Sequence, residues 1–130
     1  MLFSSTYKEI KNNSIGIYKE RNSRFIAYAY RIYSENDVKN KIKEIKKKEH
    51  SAQHYCYAYV INIDKSAQRF NDDGEPSYSA GKPILTQIYA KDITNIVIIV
   101  VRYFGGVKLG IPGLIRSYKN AARNALDNTK

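Results

Sequence analysis

Residues 96–101, Ile-Val-Ile-Ile-Val-Val, are the longest unbroken apolar run in the sequence, and the run ends against a glycine-rich turn. Six consecutive β-branched residues favour an extended chain. With no polar position among them, the strand they form is expected to be covered on both faces. The run is far shorter than the 18 or so apolar residues of a membrane span. The following segment, Arg102-Tyr103-Phe104-Gly105-Gly106-Val107-Lys108-Leu109-Gly110, leads to an amphipathic helix starting near Pro112. Leu114, Tyr118, Ala121, Ala122 and Ala125 recur on its inward face, and Arg116, Lys119 and Arg123 on its outer face.

The remaining elements arrange themselves around that strand. Residues 15–19 and 25–33 read as strands, the second rich in Tyr and Ile and free of Gly and Pro. Ser34, with Asp37 three residues on, opens a helix that continues through Val38, Ile42 and Ile45 to about Lys48. Residues 54–63 alternate Tyr55, Tyr57 and Tyr59 against Cys56, Ala58 and Val60, which places the tyrosines on one face of a strand. Residues 64–79 are polar and turn-rich and read as a loop, and residues 81–88 as a short helix with Pro83 in its first turn. The order β-β-α-β-α-β-α predicts an α/β (α+β) two-layer sandwich, a small mixed sheet with helices packed on it.

A chain of 130 residues with 43% apolar content supports one such core. A single cysteine excludes a disulfide framework and a four-cysteine zinc site. The N-terminal residues 1–8 lack the charged lead and apolar block of a secretion signal, so a cytoplasmic location with no membrane partner is expected. Lys and Arg total 22 against 12 Asp and Glu, a net +10. Such a field draws phosphate-bearing partners without selecting among them, and it equally serves solubility.

Chemistry is concentrated in two segments. The turn around Gly105, Gly106 and Gly110 joins a strand to a helix N-terminus, where free backbone N–H groups favour an anion. Arg102 and Lys108 would add charge there, although neither nucleotide-binding glycine fingerprint is met. The second segment is Asp72-Asp73-Gly74-Glu75-Pro76. Its carboxylates could hold a divalent cation or act as acid and base, Asp73 and Glu75 being the candidates, or could simply stabilise a turn. His50, His54 and Cys56 lack a fourth partner for zinc, so neither a metal nor a cofactor is expected. A Cys56 nucleophile with His54 as base shares a strand face that normally buries its thiol. Tyr28 with Tyr30, and the Tyr55-Tyr57-Tyr59 set, could stack bases or pack internally, but no RNA-binding sheet signature accompanies them.

These segments together resemble the IMPACT/YigZ family in its N-terminal domain. The resemblance is carried by Ser23 to Ala27, Ala52 with His54 to Tyr59, and Arg69-Phe70 with Asp72 to Ser77. It continues through Ala80 to Leu85, Arg102 to Gly106, Lys108 to Gly110, and Gly113 to Arg116 with Tyr118. Two positions depart from the family pattern. Tyr78 fills space beside the acidic loop, and Pro112 takes a first-turn helix position that suits it. The resemblance implies a fold like the C-terminal domain of small-subunit ribosomal protein five and domain IV of elongation factor G. It implies a single N-terminal-type domain over residues 1–130, without the ferredoxin-like second domain of many bacterial relatives.

The expectation is a translation-associated module, without catalysis, that binds RNA or the ribosome or a protein partner in translation control. Its surface would comprise Arg102, Gly105, Gly106, Lys108, Gly110, Arg116, Lys119 and Arg123. The alternative is an enzyme for a phosphorylated small molecule, with the 105–110 loop holding phosphate beside Asp72, Asp73 and Glu75.

Overall fold

The computed structural model describes residues 7–129; the N-terminal stretch read above for a secretion signal lies for the most part outside them. The elements are β1 (Ser14–Glu20), β2 (Ser23–Arg31), α1 (Glu35–Lys48), β3 (His54–Ile61), β4 (Ala67–Asn71), α2 (Gly81–Ala90), β5 (Ile96–Tyr103) and α3 (Gly110–Asp127). They build one five-stranded sheet of order β1-β2-β5-β3-β4. The apolar run becomes β5, the central strand, paired to β2 on one side and β3 on the other.

Both faces of β5 are covered, and its alternation sorts two cores. Ile96, Ile98 and Val100 join Cys56, Ala58 and Val60 under α2 and α3, which contribute Ile84, Ile88, Leu114, Tyr118 and Ala121. Val97, Ile99 and Val101 join Tyr28 and Tyr59 on the opposite face, where Val38 and Ile45 of α1 seal them. The tyrosines of β3 thus share one face, as the period of two requires. Ser34 caps α1, its hydroxyl accepting from Asp37 N at 3.1 Å, while Asp37 accepts from Tyr33 N at 2.9 Å.

Three details differ from the sequence reading within the same sandwich. Residues 64–79 are not all loop: β4 pairs antiparallel to β3, Ala58 opposite Phe70. Its sequence, Ala-Gln-Arg-Phe-Asn, has one large apolar residue, too few to alternate, and its conformation comes from edge pairing. The element order is therefore β-β-α-β-β-α-β-α. The sheet pairs antiparallel throughout, where a mixed one was expected, because each hydrogen-bonded neighbour runs opposite to β5 or to its own hairpin mate. Finally, α3 starts at Gly110, two residues ahead of Pro112, which sits in the first turn where its missing N–H has no partner to lose.

Candidate functional site

At the C-terminal end of β5 the chain turns sharply toward α3, and Gly105 makes that turn possible. A Cβ there would lie 2.1 Å from the carbonyl carbon of Asn22, so the loop can press on the β1–β2 hairpin only with hydrogen in that place. Gly105 N donates to Ser23 Oγ at 3.1 Å, and Phe104 N to Gln53 Oε1 at 2.7 Å. Gly106 then takes the left-handed region at φ +88°, open to solvent. Two of the loop's N–H groups are thus spent internally. Phe104, Val107 and Lys108 remain exposed beyond them.

The acidic loop is committed to structure. Asp72 Oδ1 accepts from Ala80 N at 3.1 Å and Gly81 N at 2.8 Å, and its Oδ2 accepts from Tyr78 N at 2.9 Å. It thereby serves the start of α2, whose own cap residue is an alanine. Asp73 Oδ2 accepts from Tyr55 N at 2.6 Å, and its carbonyl accepts from His54 Nδ1 at 2.8 Å. Glu75 turns inward: only 8% exposed, it accepts from Arg102 Nη1 at 3.0 Å on each oxygen and from the Tyr118 hydroxyl. His54 Nε2 lies 3.6 Å from the same carboxylate.

Arg102 is consequently a buried partner. It is 6% exposed, its Nη2 donates to Ser23 Oγ at 3.4 Å, and its guanidinium lies 5.6 Å from the Phe25 ring and 5.5 Å from the Phe104 ring. Its Nε has no hydrogen-bond partner among the described residues. Tyr118 packs edge-on to Phe25 at 5.0 Å, and burial drives its hydroxyl far above the usual phenol range. Cys56 Sγ donates to the Asp72 carbonyl at 3.1 Å, and burial likewise raises its thiol, which keeps it protonated and unreactive at neutral pH. His50 pairs with Ser51 instead, so the three zinc candidates serve separate partners.

The acidic loop and the glycine loop converge. Glu75 and Pro76 from one, and Phe104, Lys108 and Gly110 from the other, line a cleft of about 510 Å³ completed by His54, Arg102, Ile111 and Leu114. Tyr78 lies outside it, with its ring 5.9 Å from Phe70, and lines a neighbouring depression with Lys82, Ile115 and Lys119. Of the outer-face cations of α3, Arg116 is held by Glu20, Nε to Oε1 at 3.0 Å and Nη2 to Oε2 at 2.5 Å. The Arg116 hydrogen bond outweighs burial and holds the Glu20 carboxyl below its ordinary value. Lys119 is exposed, and exposed Arg123 donates to Asn120 Oδ1 at 2.8 Å. Reading by sequence missed Ser23 as the Arg102 and Gly105 partner, and missed the polar use of Tyr118. No helix among the described residues is long and apolar enough to cross a membrane.

Residues 21–126 match the Impact N-terminal domain. The IMPACT family member YvyE of Bacillus subtilis is 41% identical over 123 residues, 95% of this chain and 55% of that protein. YigZ of Escherichia coli is 34% identical over 108 residues, 82% of this chain and 53% of the relative. The chain spans about half the length of these curated relatives. A solved structure described as that of a hypothetical protein superposes with a TM-score of 0.90 at 30% identity, over 94% of this chain and 60% of the other. The two-domain translational regulator Yih1 shares the fold at a TM-score of 0.55 and 23% identity, over 98% of this chain and 53% of that one.

Proposed function

This chain belongs to the Impact N-terminal domain family, and on that premise we propose that it is a non-catalytic binding module of translational control. In this reading it engages a ribosomal or other protein partner across the cleft beside α3. One observation carries the reading: the three carboxylates that catalysis would need, and the Arg102 that a phosphate clamp would need, are already engaged internally. Asp72 serves the start of α2, Asp73 holds β3, Glu75 and Arg102 hold each other, and Glu20 holds Arg116. The cleft is left with apolar walls and an exposed Lys108, and Lys119 and Arg123 follow along α3. An enzyme acting on a phosphorylated molecule needs a carboxylate free to take up a proton, and these three have other partners. The likeness in fold to a translational regulator supports the same direction.

The test is co-sedimentation with purified small ribosomal subunits during a salt titration, with a fluorescent single-stranded RNA as second ligand. Binding to subunits should persist near physiological salt, while binding to RNA alone should fall steeply with salt. The triple variant Lys108→Glu, Lys119→Glu, Arg123→Glu should lose at least tenfold in subunit affinity. Subunit binding that matches free RNA in strength and salt slope would sink the reading.

A further inference from the structure

Eleven large apolar side chains are exposed among the described residues, and four of them run in one line. Phe104 and Ile111 line the cleft of about 510 Å³. Ile115 stands one helical turn beyond Ile111 on α3, so the two are surface neighbours. Ile115 in turn shares a second depression, of about 320 Å³, with Tyr78. The line Phe104-Ile111-Ile115-Tyr78 therefore links the two hollows through neighbouring turns of α3. Exposures of 49%, 51%, 39% and 62% put all four within reach of a partner. Contiguous apolar surface of this kind on a monomer marks an interaction site more often than chance.

The charges beside it select the occupant. Lys108 borders the first hollow, and Lys82 and Lys119 border the second; all three are exposed, and none forms an ion pair among the described residues. Of the nearby acids, Glu75 is buried against Arg102, Glu20 is occupied by Arg116, and Asp72 spends its oxygens on the backbone N–H groups of Tyr78, Ala80 and Gly81. The ridge is thus apolar along its length, with three lysines outside any described ion pair at its margins. We propose that it is the docking site for an acidic protein segment bearing large apolar side chains, which seat in the two hollows while its carboxylates meet the three lysines. This rests on the binding-module reading above and names the chemistry of its partner. RNA fits less well, since Ile111 and Ile115 have no ring face for a base and would strip water from phosphates. A second copy fits less well too, since each chain carries +10 and would set lysines against lysines.

The experiment is a selection of random 16-residue displayed peptides on the whole chain, followed by affinity measurement of the enriched peptides. Enriched sequences should combine Asp or Glu with Leu, Ile, Phe or Trp. Ile111→Asp and Ile111→Ser should each weaken them at least tenfold, as should the triple reversal Lys82→Glu, Lys108→Glu, Lys119→Glu. Both residue types are exposed, and circular dichroism of each variant confirms that the fold is kept. Four outcomes overturn the proposal: no enrichment; enriched peptides without acidic residues; peptides bound equally by the Ile111 variants; or a dimer in light scattering that Ile111→Asp dissolves, which assigns the ridge to a second copy. Displacement of the peptides by polyuridylate, with RNA binding itself lost in Ile111→Asp, would place RNA there and also overturn it. The same variants taken through subunit sedimentation separate the two readings. Peptides bound without subunits removes only the translational reading, and subunits bound without sensitivity at Ile111 removes only the ridge.

Discussion

The two faces of the sheet each gather polar side chains onto one glutamate, and they do so by different means. On the α2–α3 face Glu75 is buried and holds a full cation, Arg102, together with the Tyr118 hydroxyl. On the α1 face Glu49 is only half-buried and holds two neutral phenols, Tyr28 and Tyr103, while its carbonyl accepts from Tyr55 at 2.5 Å. Burial pulls the Glu49 carboxyl up, but the hydrogen bonds from Tyr103 and Tyr28, together with the charges of Lys48 and Arg24, leave it below its ordinary value. Where water still reaches, neutral donors in contact, helped by the nearby charges of Lys48 and Arg24, hold the carboxylate. Where it does not, an opposite charge is needed, and each partner then depends on the other.

The sharpest break of that contrast is Glu75→Ala, which strands Arg102 without its counter-charge and should cost about 3–5 kcal/mol in urea unfolding. Replacing both partners, Glu75→Leu with Arg102→Met, should recover most of the loss, because no buried charge remains. If Glu75→Ala costs no more than the equivalent change at Glu49, the two sites are not different in kind. Gly105→Ala disturbs the same buried side indirectly, by driving a methyl into Asn22 and shifting Ser23 from Arg102. A loss of about 1–3 kcal/mol is expected, as for an overpacked core. The Glu49→Gln change keeps one accepting oxygen, turns the other into an N–H donor and removes the charge, so about 1 kcal/mol should be lost.

The smallest effect at neutral pH is the most diagnostic in alkali. Burial, followed by the Glu49 hydrogen bond, pushes the Tyr103 phenol up to about 12 from its ordinary 10. A folded value above the unfolded one means stabilisation that is complete below pH 10 and lost as the pH rises through 12. Urea midpoints between those limits should fall more steeply in the wild type than in Glu49→Gln, where part of the upward push is gone. Parallel slopes would show that Glu49 does not govern that hydroxyl.

Local features were readable in the sequence. The β5 run, the Ser34 cap and the tyrosine alternation each depend on neighbours within a few residues, and each stands in the structure where it was read. The strand β4 was not readable, since a polar edge strand with Phe70 as its one large apolar residue owes its conformation to pairing with β3. The centre of the cleft was hidden for another reason. Glu75 meets Arg102 across 27 residues and Tyr118 across 43, so its network exists only after the sheet has closed. An arginine at a strand end beside glycines reads as exposed, yet the even positions of β5 face α3, and Arg102 follows them inward. The convergence of the two loops was likewise a property of the sheet and not of either loop.

The strand order has a consequence for how the chain is born. The hairpins β1–β2 and β3–β4 lie early in the sequence, but no strand pairs with both of them until β5, the last strand to leave the ribosome, takes its place between them. Until residue 103 has emerged, the growing chain exposes the two inner edges that β5 will later fill, and the burial of Arg102 against Glu75 has to wait as well. The central pairings are all distant in sequence, a feature that goes with slower folding across small domains. The molecule is therefore assembled from its flanks toward its middle, with a keystone that arrives only after most of the chain has been synthesised.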